Sequence, residues 1–161
     1  MTDLWQARHF IYSHLVDTAF PPSVDVTARH FNISAEEASA LYKELADHHA
    51  IFLEPETLTV RMAWPFSGVP TNFKVHANGK IYFANCAWDM FGVPAALHSD
   101  ATIEAVCTES NETVQLEIKD GQITSFQSTD SQFTNYQTTN LPYLVHFLLP
   151  FSRWYDDLVY T

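Results

Sequence analysis

The spacing of apolar residues predicts that the chain begins with three helices. Apolar positions at helical intervals indicate a first helix over residues 4–16 and a second over residues 24–31. Ser34 followed by Glu37 is a capping-box signature and predicts the start of a third helix, which we expect to end near His48. Two short strands, residues 51–53 and 58–62, are expected to follow as a hairpin.

Three helices followed by a hairpin is the order of a winged helix, in which the third helix would read DNA. That helix carries mainly acidic side chains, whereas DNA recognition uses cations at phosphates and donors at base edges. Its charged residues are Glu36, Glu37, Glu44 and Asp47 against Lys43. We therefore expect residues 1–64 to form a winged-helix-like packing module rather than a DNA-binding domain.

After an apolar Pro/Gly-containing linker at residues 63–70, the pattern becomes predominantly β. The Asn78-Gly79 pair predicts a tight hairpin turn. The other expected elements are listed in chain order: strands 73–76 and 81–84, helix 88–97, strands 102–107, 113–118 and 123–126, a polar loop at 128–140, and helical segments at 144–149 and 151–160. The predicted class is α+β, with residues 65–161 forming a small mixed or antiparallel β domain.

Composition and charge narrow the class of partner. Of the 161 residues, 47% are hydrophobic, which is enough for a substantial core. Eight basic against nineteen acidic residues give a formal charge of −11, so we expect neither nucleic acid nor an anionic membrane as a partner. There is no membrane-length apolar run, and we expect no secretory signal because the first eight residues lack a basic region followed by an apolar stretch. Two cysteines are too few for a disulfide framework, and we expect a cytoplasmic protein with free thiols.

The chemistry-bearing motif is Cys86-Ala87-Trp88-Asp89, between a predicted strand and a predicted helix. Backbone N–H groups and the dipole at a helix N-terminus are expected to lower the pKa of the Cys86 thiol and favour the thiolate. Asp89 lies one helical turn further on and is placed to hold or deliver a proton beside that sulfur. The plainer alternatives are a buried, inert cysteine and an aspartate that only caps the helix.

The segment from Asn85 to Ala95, with its Cys-Ala-x-Asp and Pro-Ala elements, resembles the active-site segment of the alkylmercury lyases. Cys107 falls where that family has a further cysteine downstream. The resemblance implies that Cys86 binds mercury and that Asp89 helps to move the proton that releases the hydrocarbon. It also implies an organomercurial or other thiophilic small molecule as substrate, an external thiol to remove the product, and no cofactor.

The sequence departs from the family pattern at its end, because the family's second catalytic cysteine comes late and this chain stops at Thr161, where that cysteine is expected. Three explanations stay open: a fragment, a natural truncation, or a stop codon that is read elsewhere as selenocysteine. Cys107 is the remaining substitute thiol, but the resemblance implies a structural role. Its strand context, after Ile103 and Val106, predicts a buried side chain.

Two functions follow from these residues. The first is an alkylmercury-lyase-like enzyme whose protonolysis of carbon–mercury bonds is impaired by the missing second cysteine. The alternative is a non-catalytic protein that binds a soft metal or a small ligand in the Cys86 pocket. An incomplete sheet would leave an unpaired edge, which favours a homodimer.

Overall fold

The computed structural model describes residues 3–107, 111–129 and 153 of the chain. The helices in this part are α1 (Leu4–Thr18), α2 (Val24–Phe31), α3 (Ala35–Asp47) and α4 (Asp89–Leu97). The strands are β1 (Phe52–Leu53), β2 (Val60–Ala63), β3 (Phe66–Ser67), β4 (Phe73–Ala77), β5 (Lys80–Ala84), β6 (Ala101–Val106), β7 (Thr113–Lys119) and β8 (Gln122–Ser128). The predicted α+β class is confirmed. Most of the predicted loop at 128–140 lies outside the described residues. The predicted helical segments at 144–149 and 151–160 also lie outside them, except for residue 153.

Local capping signals fix the three N-terminal helices close to their predicted bounds. Ser34 and Glu37 form the predicted capping box, in which each side chain accepts a hydrogen bond from the other residue's backbone N–H. The buried hydroxyl of Tyr42 on α3 lies 2.8 Å from the hydroxyl oxygen of Thr27 on α2. It also donates to the carbonyl of Pro22 at 2.9 Å, so α2, α3 and the turn before them are tied together.

The strands form one antiparallel sheet in the order β1-β2-β3-β5-β4-β6-β7-β8. The predicted hairpin joins β4 to β5, with Asn78 and Gly79 at φ values of 51° and 71°. Positive φ at both central residues is the type I′ geometry that Asn-Gly favours. The hairpin β1–β2, predicted as a wing, pairs through β3 with β5 and is part of the same sheet. The winged-helix assignment and the boundary at residues 64–65 stay predictions.

The predicted linker at residues 63–70 contains a strand, β3. Phe66 and Ser67 are buried and pair with β2 on one side and β5 on the other. A side chain at position 68 would collide with the carbonyl oxygen of Val60, so Gly68 is what allows this close return of the chain. The apolar character of the segment reflects a central position in the sheet.

The helices and the sheet share a core that positions the loop after β5. Val93 of α4 is fully buried in it and Met90 nearly so. From the helical side, the hydroxyl of Tyr82 on β5 donates to the carbonyl of Val16 on α1 at 2.7 Å. The N-terminus of α4 is therefore held at the sheet edge, directly after β5. Within the described ranges, none of the helices has the length and apolarity needed to cross a membrane.

Candidate functional site

Cys86 and Asp89 come together in the turn between β5 and α4. The backbone N–H of Met90 donates to the carbonyl of Cys86 at 3.3 Å, so the helical hydrogen-bond pattern already begins at Cys86. The backbone N–H groups of Asp89 and Trp88 donate to the Cys86 sulfur. In return, the backbone N–H of Cys86 donates to the Asp89 carboxyl group. This reciprocal exchange is a capping box with sulfur in place of the usual hydroxyl oxygen.

Asp89 is almost completely enclosed, with 3% of its surface exposed. Burial raises the pKa of Asp89 to about 6, because a carboxylate loses hydration there. Three hydrogen bonds oppose that effect: from the Cys86 side chain, from the Trp64 side chain and from the Cys86 backbone. The group therefore titrates close to neutrality, in the range that suits proton transfer.

The thiol of Cys86 behaves differently from the prediction. Two causes raise the pKa of Cys86 above its ordinary value. The larger is burial and the second is the charge of Asp89. The backbone N–H groups of Asp89 and Trp88 lower it, as expected at a helix start, but they are outweighed. The predicted depression of the Cys86 pKa was wrong because desolvation and a neighbouring carboxylate exceed the helix effect. The resting pair is a thiol that donates its S–H to the Asp89 carboxylate.

Two tryptophans beside the pair keep much of their surface in solvent. Trp64 is 56% exposed, although its side chain donates a hydrogen bond to Asp89, and Trp88 is 53% exposed. Trp64 was not predicted as a site residue, because it lies in the segment interpreted as a linker. The sequence marks Trp64 only as an aromatic residue in a Pro/Gly-containing stretch. That pattern does not indicate a contact with Asp89, which lies far along the chain.

Cys107 is exposed, so the predicted buried position is wrong. The residue follows the end of β6, and its N–H donates to the carbonyl of Glu112 at 2.9 Å. Strand β4 lies between β5 and β6 and is antiparallel to both, so the two cysteines follow their strands at the same end of the sheet. Within the described ranges, neither cysteine forms a disulfide bond. Within the described ranges, no group of three or more His, Cys, Asp or Glu side chains is placed to hold a metal ion.

Comparisons with known proteins agree with the resemblance found in the sequence. Residues 66–139 match the family model described as MerB, alkylmercury lyase. A solved structure, the mercury-bound form of MerB2, shares the fold with a TM-score of 0.59 and 19% sequence identity. The match covers 78% of this chain and 61% of that one. No curated protein sequence matches the chain significantly. The family match includes the Cys86–Asp89 turn, and the fold agrees with that of MerB2, so residues 66–139 are similar to the alkylmercury lyases.

Proposed function

We propose that this protein binds organomercurials through Cys86 and cleaves their carbon–mercury bond with a proton carried by Asp89. The observation that supports the proposal is the hydrogen-bonded pair itself, a thiol and a carboxyl group enclosed together inside the family-matched segment. Thiolate sulfur is a preferred ligand of soft metals. A carboxyl group within hydrogen-bond reach is the acid or base that such a ligand exchange needs.

The first step is the formation of the sulfur–mercury bond. The Cys86 S–H bond breaks, its proton passes to the Asp89 carboxylate, and the sulfur electron pair binds the mercury of a cationic R–Hg group. Because the pKa of Asp89 is raised to about 6, the carboxylate is a stronger base than an exposed aspartate while remaining available near neutral pH. The products are Cys86–S–Hg–R and a protonated Asp89.

The second step is the release of the hydrocarbon. The carbon–mercury bond breaks, its electron pair takes the proton from Asp89, and R–H departs with mercury left on Cys86 as a cation. A second soft ligand would raise the electron density on carbon and favour this step. Cys107 is not among the groups that act on the pKa of Cys86 or of Asp89, and we propose that an external thiol supplies that sulfur. We expect turnover to be slow for this reason.

A non-catalytic binding protein is the second candidate. It is favoured by the raised pKa of Cys86, which keeps the sulfur in its less reactive protonated form. Such a protein would take up one soft metal ion or thiophilic ligand and retain it. For either function we propose a reducing, cytoplasmic setting, since that would keep Cys86 reduced and supply the thiol.

The deciding experiment incubates the protein with a simple alkylmercury salt and excess thiol and measures the released hydrocarbon by gas chromatography. The lyase proposal expects repeated turnover that is lost in Cys86→Ser and in Asp89→Asn. Cys107→Ser is the matched control, because it removes an exposed thiol outside the pair and should leave release unchanged. One equivalent of bound mercury without hydrocarbon would instead establish the binding protein.

A further inference from the structure

Within the described part of the chain, Trp64 is the one hydrogen-bond partner of the Asp89 carboxyl group that lies outside the Cys86–Asp89 turn. Its indole N–H donates to the carboxyl group, whereas the other hydrogen bonds to that group come from Cys86. An indole nitrogen is a donor only, so it can bind the carboxylate but cannot take its proton. The contact therefore favours the ionised form of Asp89 and fixes one of its oxygens.

The backbone around Trp64 is held in place from two sides. The hydroxyl of Tyr12 on α1 donates to the carbonyl oxygen of Trp64 at 3.1 Å. On the other side, a methyl group added at Gly92 of α4 would lie only 2.8 Å from the Cβ of Pro65. Gly92 is one helical turn beyond Asp89, so its missing side chain lets the 64–65 segment approach α4 where the carboxyl group lies.

We propose that Trp64 is a positioning residue, which orients the Asp89 carboxyl group toward Cys86 and holds it ready to accept the thiol proton. The proposal rests on the proposed function, because the orientation of Asp89 affects turnover only if this group transfers the proton. Its electrostatic part concerns the protein without any mercury and can be tested separately. Cys86 is the titratable group acting on Asp89; Trp64 does not titrate.

The test is the pH midpoint of Asp89 in Trp64→Phe, which keeps an aromatic ring but removes the donor. The indole hydrogen bond lowers the pKa of Asp89, so its loss should move the midpoint upward. A typical hydrogen bond corresponds to roughly half to one pH unit. The midpoint can be read from the infrared absorption of the protonated carboxyl group, taken as the difference between each protein and the same protein carrying Asp89→Asn.

Trp5→Phe is the matched control, because Trp5 is 58% exposed on α1 and is not a partner of Asp89. An upward midpoint in Trp64→Phe, with Trp5→Phe like the wild type, supports the proposal. An unchanged or lower midpoint in a folded Trp64→Phe protein overturns it. If that variant does not fold, Tyr12→Phe decides: it removes the 3.1 Å bond to the Trp64 carbonyl and should move the midpoint in the same direction, and no movement overturns the proposal.

Hydrocarbon release separates this inference from the proposed function. If the wild type releases no hydrocarbon but the midpoint moves in Trp64→Phe, the lyase function fails and the contact with Trp64 stands. If the wild type turns over and Trp64→Phe keeps the same midpoint and pH–rate profile, the function stands and the positioning role fails. Where both hold, we expect the acidic limb of the kcat/KM profile in Trp64→Phe to move to higher pH, in step with the midpoint of the mercury-free protein.

Discussion

Asp89→Asn should make the protein more stable at neutral pH, although it should abolish the proposed chemistry. Burial raises the pKa of Asp89 to about 6 in the folded protein, against about 3.9 in an unfolded chain. Because the folded form holds this proton more tightly, the free energy of unfolding falls as the pH rises from about 4 to about 6 and then stays level. Below both values the group is protonated in either state and contributes no such cost.

The size of the effect follows from that difference. Two pKa units correspond to about 3 kcal/mol above pH 6, an upper value. Asparagine can still accept hydrogen bonds from the Cys86 backbone and from Trp64, but it lacks the charge that strengthens them. We therefore expect a net gain of about 1–3 kcal/mol at pH 7.5, or roughly 3–10 °C in Tm for a chain of this length.

The assay is thermal unfolding followed by circular dichroism at pH 4 and pH 7.5. The gain should appear at pH 7.5 and largely vanish at pH 4. Asp120→Asn is a suitable control, because Asp120 is exposed in a turn at φ 49°, which asparagine tolerates. A variant no more stable than the wild type at pH 7.5, or equally stabilised at both pH values, would refute the electrostatic account of the site.

Three further outcomes test the packing and reactivity around the site. At pH 7.5 iodoacetamide should modify Cys107 before Cys86, because Cys107 is exposed whereas Cys86 is half-buried with a raised pKa. Peptide mass spectrometry measures the order of modification, and the reverse order would show a preformed thiolate at Cys86. Gly92→Ala should lower the free energy of unfolding by about 1–3 kcal/mol in urea titrations, since the added methyl group would press on Pro65. An unchanged free energy of unfolding would mean that the 64–65 segment can move away. Tyr42→Phe should cost about 1–2 kcal/mol in the same titration because it removes a buried, hydrogen-bonded hydroxyl, and no loss would contradict its role in holding α2 to α3.

The parts of the fold that sequence predicted are those that short stretches of chain encode. The capping box at Ser34 and the type I′ turn at Asn78-Gly79 depend on neighbouring residues, so their elements were located within a few positions. Strand β3 was missed because its two residues have no visible alternation. Its partners, β2 and β5, are brought to it by the tertiary fold. A central strand of this length cannot be recognised without the sheet around it.

The same division holds within the candidate site. Cys86 and Asp89 are one helical turn apart, so their contact was predictable from spacing alone. The direction of the Cys86 pKa was not, because it depends on how deeply the pair is enclosed, and depth is a property of packing. Trp64 belongs to the same group of unpredictable features, since it reaches Asp89 only through the close approach of Pro65 to Gly92.

A protonated Cys86 is, under the proposed function, an advantage rather than a defect of the site. If both groups were already ionised, mercury binding would release no proton within the pair and Asp89 would have none to give to carbon. Here the S–H proton moves to Asp89 as the sulfur–mercury bond forms. The Cys86 side chain then no longer donates the hydrogen bond that lowers the pKa of Asp89. Asp89 consequently holds that proton more firmly once mercury is bound, and the acid needed to release the hydrocarbon is generated by binding of the substrate.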